Sequence, residues 1–165
     1  MTITLERLKS LLRYEPETGI FTWLVARRGL AKVGGLAGTK HNEGYWQITV
    51  DGRRYLSHRL AWLYMTGSWP EADIDHRNGI RGDCRFTNLR EATRTENKQN
   101  ENAPHRRSRA GLRGVSWHKA GKGWEARIRC NGTRKHLGVF ATKEEAHFAY
   151  VQAKAAFHPF ATDRT

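Results

Sequence analysis

Leu5, Leu8, Leu11 and Leu12 recur at spacings of three and four, the stripe of a short amphipathic helix that must end before Pro16. Ile20-Phe21-Thr22-Trp23 then reads as a strand. The basic, glycine-rich stretch after it, with Arg27, Arg28, Lys32, Gly34, Gly35 and Lys40, has no period and reads as a loop. Tyr45 to Val50 alternates, pauses at Asp51-Gly52 and resumes from Arg53 to Ser57. Both turn residues tolerate positive φ, so this predicts a hairpin. A helix from His58 to about Tyr64, stopped near Gly67, should follow.

Between Asn97 and Arg113 the chain turns polar and basic, with almost nothing that could enter a core, and residues 103–113 read as a linker. A solvated tether is one reading. The other lays Arg106 and Arg107 on phosphates, where a flexible cationic segment gains affinity by counterion release. Beyond it, Gly114–His118, Trp124–Cys130 and Arg134–Phe140 are three short strands, separated by Gly121-Lys122-Gly123 and by Asn131-Gly132. A helix follows, opened by Thr142 with Glu145 three residues on, a capping box, and carrying Ala146, Ala149, Tyr150, Ala153 and Phe157 on one face. Alternation places Trp124, Ala126, Ile128 and Cys130 beneath that helix and leaves Glu125, Arg127 and Arg129 on the other face.

Composition narrows the partner. The 165 residues carry 29 Lys+Arg against 16 Asp+Glu, a formal net charge of +13, which asks for a polyanion. A hydrophobic fraction of 38% and six tryptophans suffice for one medium core or two small ones. No apolar run approaches the roughly 20 residues of a membrane span. Met1 to Leu8 lacks the profile of a secretory signal, and Cys84 and Cys130 alone build neither a disulfide framework nor paired zinc knuckles. The expectation is a cytoplasmic chain with reduced thiols and no membrane partner.

The predicted free face of the C-terminal sheet gains Arg113, His118, Arg134 and His136 from neighbouring strands, with Lys135 beside them. Any one could be a solvated cation. Concentrated on so small a module, they point to nucleic acid, and a two- or three-stranded ribbon fits the major groove, where arginine donates twice to guanine. The segments Arg113-Gly114-Val115-Ser116-Trp117, Trp124-Glu125-Ala126-Arg127-Ile128-Arg129 and Arg134-Lys135-His136-Leu137-Gly138-Val139-Phe140, with Glu144-Glu145-Ala146 to Ala149-Tyr150, resemble the Apetala/ethylene-response-factor DNA-binding domain. The resemblance implies a sheet in the major groove of double-stranded DNA, with Arg113, Arg127, Arg129, Arg134 and His136 on the reading face and Trp117 among the DNA-binding residues. Ser116 and His118 stand where plant members usually carry arginines, and His136 where an aromatic often faces the DNA, so the plant base preference does not transfer.

A second cluster carries chemistry. Ile74-Asp75-His76-Arg77-Asn78-Gly79 precedes Thr87-Asn88-Leu89-Arg90-Glu91-Ala92-Thr93-Arg94-Thr95-Glu96-Asn97, with His76, Asn88 and Asn97 spaced by twelve and nine residues. Singly, each suits a turn, a loop or a wet helix face. Together, Asp75-His76 would close a strand, Asn78-Gly79 would turn it, and Thr93 to Glu96 is a capping box starting a helix at about Arg94. Asn97 in its first turn would point back toward the strand end. This resembles the ββα-metal motif of HNH endonucleases. Tyr55-Leu56-Ser57-His58-Arg59-Leu60-Ala61-Trp62, Trp69-Pro70 and the opening Tyr14-Glu15-Pro16-Glu17-Thr18-Gly19-Ile20-Phe21-Thr22-Trp23 extend the likeness to phage and intron-associated, homing-type members.

Phosphodiester hydrolysis needs water to lose a proton and a phosphate whose growing charge is neutralised. A histidine near its unperturbed pKa of about 6.5 suits the first task, which makes His76 the expected general base. Asp75 and Asn97 are oxygen donors suited to one hard divalent cation, Mg2+ or Mn2+, bound weakly until DNA phosphate completes its shell. The resemblance gives Asn88 the role of orienting His76. His58, Arg59, Arg77, Arg90 and Arg94 would bind flanking phosphates, or are plain surface cations.

The expected fold class is α+β: an N-terminal α/β module (1–72), an HNH ββα-metal core (73–102), a basic linker (103–113) and a three-stranded antiparallel sheet packed on one helix (114–158). The expected function is a metal-dependent DNA endonuclease, monomeric or dimeric, in a bacterial host cell. A non-catalytic DNA-binding regulator with a degenerate HNH module is the alternative. An RNA-directed protein fits less well, because the deep, narrow groove of A-form RNA resists a sheet.

Overall fold

A computed structural model describes residues 2–26, 32–100, 108–120, 122–130, 132–158 and 160–161. Arg27, Arg28, the turn residues Gly121 and Asn131 and residues 103–107 of the expected linker, Arg106 and Arg107 among them, lie outside the described residues. The chain divides after Arg94 into two compact units.

In the first unit, α1 (Leu5–Leu11) opens at Thr4, whose side chain accepts from the Arg7 amide. The helix stops one residue short of its leucine stripe. Leu12 is already extended and starts β1 (Leu12–Glu15), paired antiparallel with β2 (Ile20–Trp23), and it stays fully buried because alternation points Leu12 and Tyr14 to one side. The stretch read as a loop contributes β3 (Thr39–Lys40), which edges a sheet with β4 (Trp46–Val50) and β5 (Arg53–Leu56). The predicted hairpin is present, with φ of 48° at Asp51 and 76° at Gly52. Helix α2 (Ser57–Thr66) ends at Gly67, left-handed at φ 82°, whose N–H reaches the Leu63 carbonyl. β6 (Asp73–His76) pairs with β7 (Leu89–Ala92), a strand too short and too polar at its middle to show in the pattern. Leu8, Leu12, Ile48, Val50 and Leu60 share one core with Ile74 and Leu89, so residues on both sides of position 72 fold around the same interior.

The second unit holds most of α3 (Arg94–Asn100), then β8 (Val115–His118), β9 (Gly123–Cys130), β10 (Thr133–Phe140) and α4 (Lys143–Phe157). The strands form an antiparallel sheet in the order β10-β9-β8, and Thr142 and Glu145 make the capping box of α4 reciprocally. Residues 108–113, expected in the linker, instead supply Ala110 and Leu112 to a core with Val115, Ala126 and Ala146. Of the predicted helix face, Ala146 and Tyr150 are buried but Phe157 is 38% exposed, and Lys154 is buried in its place. A lysine covers apolar surface with its four-carbon stem. Gly114, at φ 77°, lies so close to the Tyr150 ring that a Cβ there would collide with it. Among the described residues no helix is long and apolar enough to cross a membrane.

Candidate functional site

At the end of β6, Ile74, Asp75 and His76 are all buried. Strand alternation sends the last two in different directions. Asp75 faces its cross-strand neighbour Arg90, whose Nε and Nη2 donate to Asp75 Oδ2 at 2.9 and 2.8 Å. His76 instead packs edge-to-face on His58 from the first turn of α2, with ring centroids 4.9 Å apart and an interplanar angle of 84°. Tyr45 lies 5.3 Å from the His58 ring and 5.9 Å from the His76 ring. Burial pushes His58 down to about 3, helped by the nearby His76 and Arg59. Burial also lowers His76, while Asp75 and Asp83 pull it up and Arg81 pulls it down. Burial thus disfavours the charged form of both rings. His58 Nδ1 is buried with no hydrogen-bond partner among the described residues, so His58 is an interior imidazole rather than a surface cation.

The loop between β6 and β7 is tied to the base of His76 by one side chain. Asn88 Oδ1 accepts from the Asn78 amide at 2.9 Å, its Nδ2 donates to the Asp83 carbonyl at 2.8 Å, and its own carbonyl accepts from the Arg77 amide at 2.8 Å. Gly79 closes the turn by donating to the His76 carbonyl at 2.7 Å. Asp83 braces the same loop, accepting from Asn78 Nδ2 at 2.7 Å and from both Nε and Nη2 of Arg85. The Arg85 hydrogen bond holds the Asp83 carboxyl below the usual range. Arg81, exposed on this loop, places its guanidinium 5.0 Å from the Tyr45 ring centroid and donates to the Glu43 carbonyl at 3.2 Å.

In the second unit the open sheet face carries Glu125, Arg127 and Arg129 from β9 and Arg134 and His136 from β10, with His136 directly across from Arg127. Trp117 is not on it. The register sets Trp117 opposite Trp124, ring centroids 5.3 Å apart, on the side that α4 covers, where Trp117 stays 53% exposed. Lys135 also falls on the helix side, 4.1 Å over the Phe157 ring.

Residues 55–99 match the model of the HNH endonuclease family. The match covers little more than a quarter of the chain. Comparisons with curated proteins and with solved structures gave no match. The matched segment runs from β5 through α2, β6 and β7 into α3 and holds Asp75, His76, Asn88 and Asn97.

HNH endonucleases generally use a divalent cation. Among the described residues no group of three or more His, Cys, Asp or Glu is placed to hold one. Asp75 is a buried carboxylate with two hydrogen bonds from Arg90 on one oxygen, and Asn97 is a half-buried amide on α3 in the second unit. This donor chemistry fits a hard ion through a single carboxylate, which leaves most of the coordination to water and phosphate oxygens. Of the expected phosphate contacts, Arg77 and Arg94 are exposed, Arg59 is half-buried, and Arg90 is turned inward to Asp75. The sequence reading missed Tyr45, Arg81 and Asp83, and it placed Glu125 on the open face without foreseeing its burial. Asp83, an acid five residues before Asn88 and two before its partner Arg85, lies close enough in sequence to its partners to have been noticed.

Proposed function

We infer that the protein is a metal-dependent DNA endonuclease of homing type, cutting at the end of β6 and choosing its site with the arginine face of β9 and β10. The observation that carries this reading is His76: a buried imidazole at a strand end, fixed from behind by the Asn88 loop, inside the segment that matches the HNH endonuclease family.

His76 takes the proton from the attacking water, a task that a histidine kept neutral by burial performs without first losing a proton. Asn88 is a positioning residue, because it holds the backbone after His76. Asp75 and Asn97 would hold the cation, Mg2+ or Mn2+, which would neutralise charge on the scissile phosphate. Arg59, Arg77, Arg94, Arg106 and Arg107 grip flanking phosphates. Arg113, Arg127, Arg129, Arg134 and His136 engage double-stranded DNA in the major groove. One active site per chain makes a single-strand nick the simplest product of a monomer.

One observation favours the alternative of a non-catalytic DNA-binding regulator: Arg90 already partners the carboxylate that would hold the cation. Relaxation of supercoiled plasmid decides between the two. Metal-dependent nicking that EDTA stops and that His76→Ala abolishes, with the variant folded, supports the endonuclease. Binding without cutting in both Mg2+ and Mn2+ overturns it.

A further inference from the structure

A carboxylate does not belong on a surface that meets a polyanion, because it repels phosphate and weakens binding. The open face of the second unit nevertheless has Glu125 at its middle, 4% exposed, between Ser116 on β8 and Val139 on β10. Both of its hydrogen-bonding neighbours are cationic or cation-capable and belong to the same face. Arg127 Nε meets Glu125 Oε1 at 2.6 Å, and His136 Nδ1 meets the same oxygen at 2.7 Å. The backbone is shaped for this: β10 shifts register between His136 and Gly138, where Gly138 sits at φ 137°. Such a bulge re-aims the side chain beside it.

We propose that Glu125 is a specificity-determining positioning residue, whose buried carboxylate fixes which hydrogen-bonding atoms Arg127 and His136 offer to DNA bases. The inference rests on the reading of this sheet as the DNA-binding face. Burial pushes the Glu125 carboxyl up, but hydrogen bonds from Arg127 and His136 outweigh it and hold the group below the usual carboxylate range. An ionised carboxylate only accepts, so His136 must carry its proton on Nδ1 and turn Nε2 outward. Nε2 is thus the atom offered to the bases: an acceptor for the exocyclic amino group of cytosine or adenine when the ring is neutral, a donor to guanine when it is charged. Arg127, with Nε occupied, is left with its two terminal nitrogens, an end-on fork for the O6 and N7 of guanine. Without Glu125 both side chains are free to rotate and to bind phosphate.

The test is selection from random-sequence duplexes by the full chain, wild type beside Glu125→Gln. The wild type should select a preferred site, and Glu125→Gln should lose about tenfold in discrimination at the guanine and at the position read by His136. Its affinity for unrelated duplex should hold or rise, since a negative charge is gone. Equal discrimination by both proteins overturns the role of Glu125 and leaves the sheet reading intact. A wild type with no preferred site, whose duplex affinity is also unmoved by Arg127→Ala, overturns the sheet reading itself. Imidazole nitrogen chemical shifts of His136 in the wild type give a readout independent of variant folding. A proton on Nδ1 is the expected result, and a proton on Nε2 alone overturns the proposal.

Discussion

At the end of β6 the ionisable groups face inward: His58 and His76 meet edge to face, and Asp75 is turned to Arg90. On the β9–β10 face the cations point outward, and the carboxylate of Glu125 is buried beneath them. Desolvation dominates the first place, where it moves a histidine from its ordinary 6.5 to about 3. Exposure dominates the second, where arginines stay charged whatever surrounds them and only their direction is adjustable. A reaction centre needs a group poised between two protonation states, and a recognition surface needs fixed donors. Under the proposed function, the contrast in burial separates the two tasks.

The sharpest way to break this contrast is His76→Ala. Nicking should fall by about 10²–10⁴-fold, the contribution of a positioned general base, while duplex affinity measured by titration stays within twofold. A parallel loss of affinity would mean that the buried ring also serves binding. Gly114→Ala comes next. Its Cβ would enter the Tyr150 ring at a positive φ, which should destabilise the second unit by about 2–5 kcal/mol. Backbone amide spectra should then show the β8–β10 signals collapse while the β6–β7 signals persist.

Acid stability sharpens the comparison further. The unfolded chain takes up a proton on His58 below about pH 6.5, whereas the folded chain holds it off until about 3. Stability from this group is therefore complete above pH 6.5 and falls as the pH drops toward 3, by at most about 1.4 kcal/mol per pH unit. His76 acts in the same direction. Thermal unfolding between pH 7 and 4 should show that slope, and His58→Gln should flatten it. The smallest effect belongs to the outer surface. Arg134→Ala should lower the dependence of log affinity on log salt by about 1, and Lys135→Ala, whose ammonium lies over Phe157, should lower it less. Equal changes would erase the distinction between the two sides of the sheet.

Local pattern carried far in this chain. The leucine stripe of α1, the Asp51-Gly52 hairpin, the glycine stop of α2, the three C-terminal strands and the capping box of α4 are all short-range, because each depends on residues within one turn of helix or one tight loop. Asp75, His76 and Asn88 were legible as chemistry because their spacing is a local motif around one turn. Their surroundings were not. Arg90 reaches Asp75 only across a strand pair, Tyr45 reaches His76 from more than thirty residues away, and His58 became interior because the first turn of α2 meets the end of β6.

The same division holds in the second unit. Alternation alone put Arg127, Arg129 and Ile128 on their proper faces, since a period of two needs no partner. It also named Glu125 as exposed. Burial of Glu125, the turn of Trp117 to the helix side and the entry of Ala110 and Leu112 into a core were decided by register and by what lies across the strand. Sequence determined which elements form and which residues carry charge. Tertiary structure decided which of those charges survive burial and which way they point, because desolvation and cross-strand pairing depend on neighbours that the chain brings from far away.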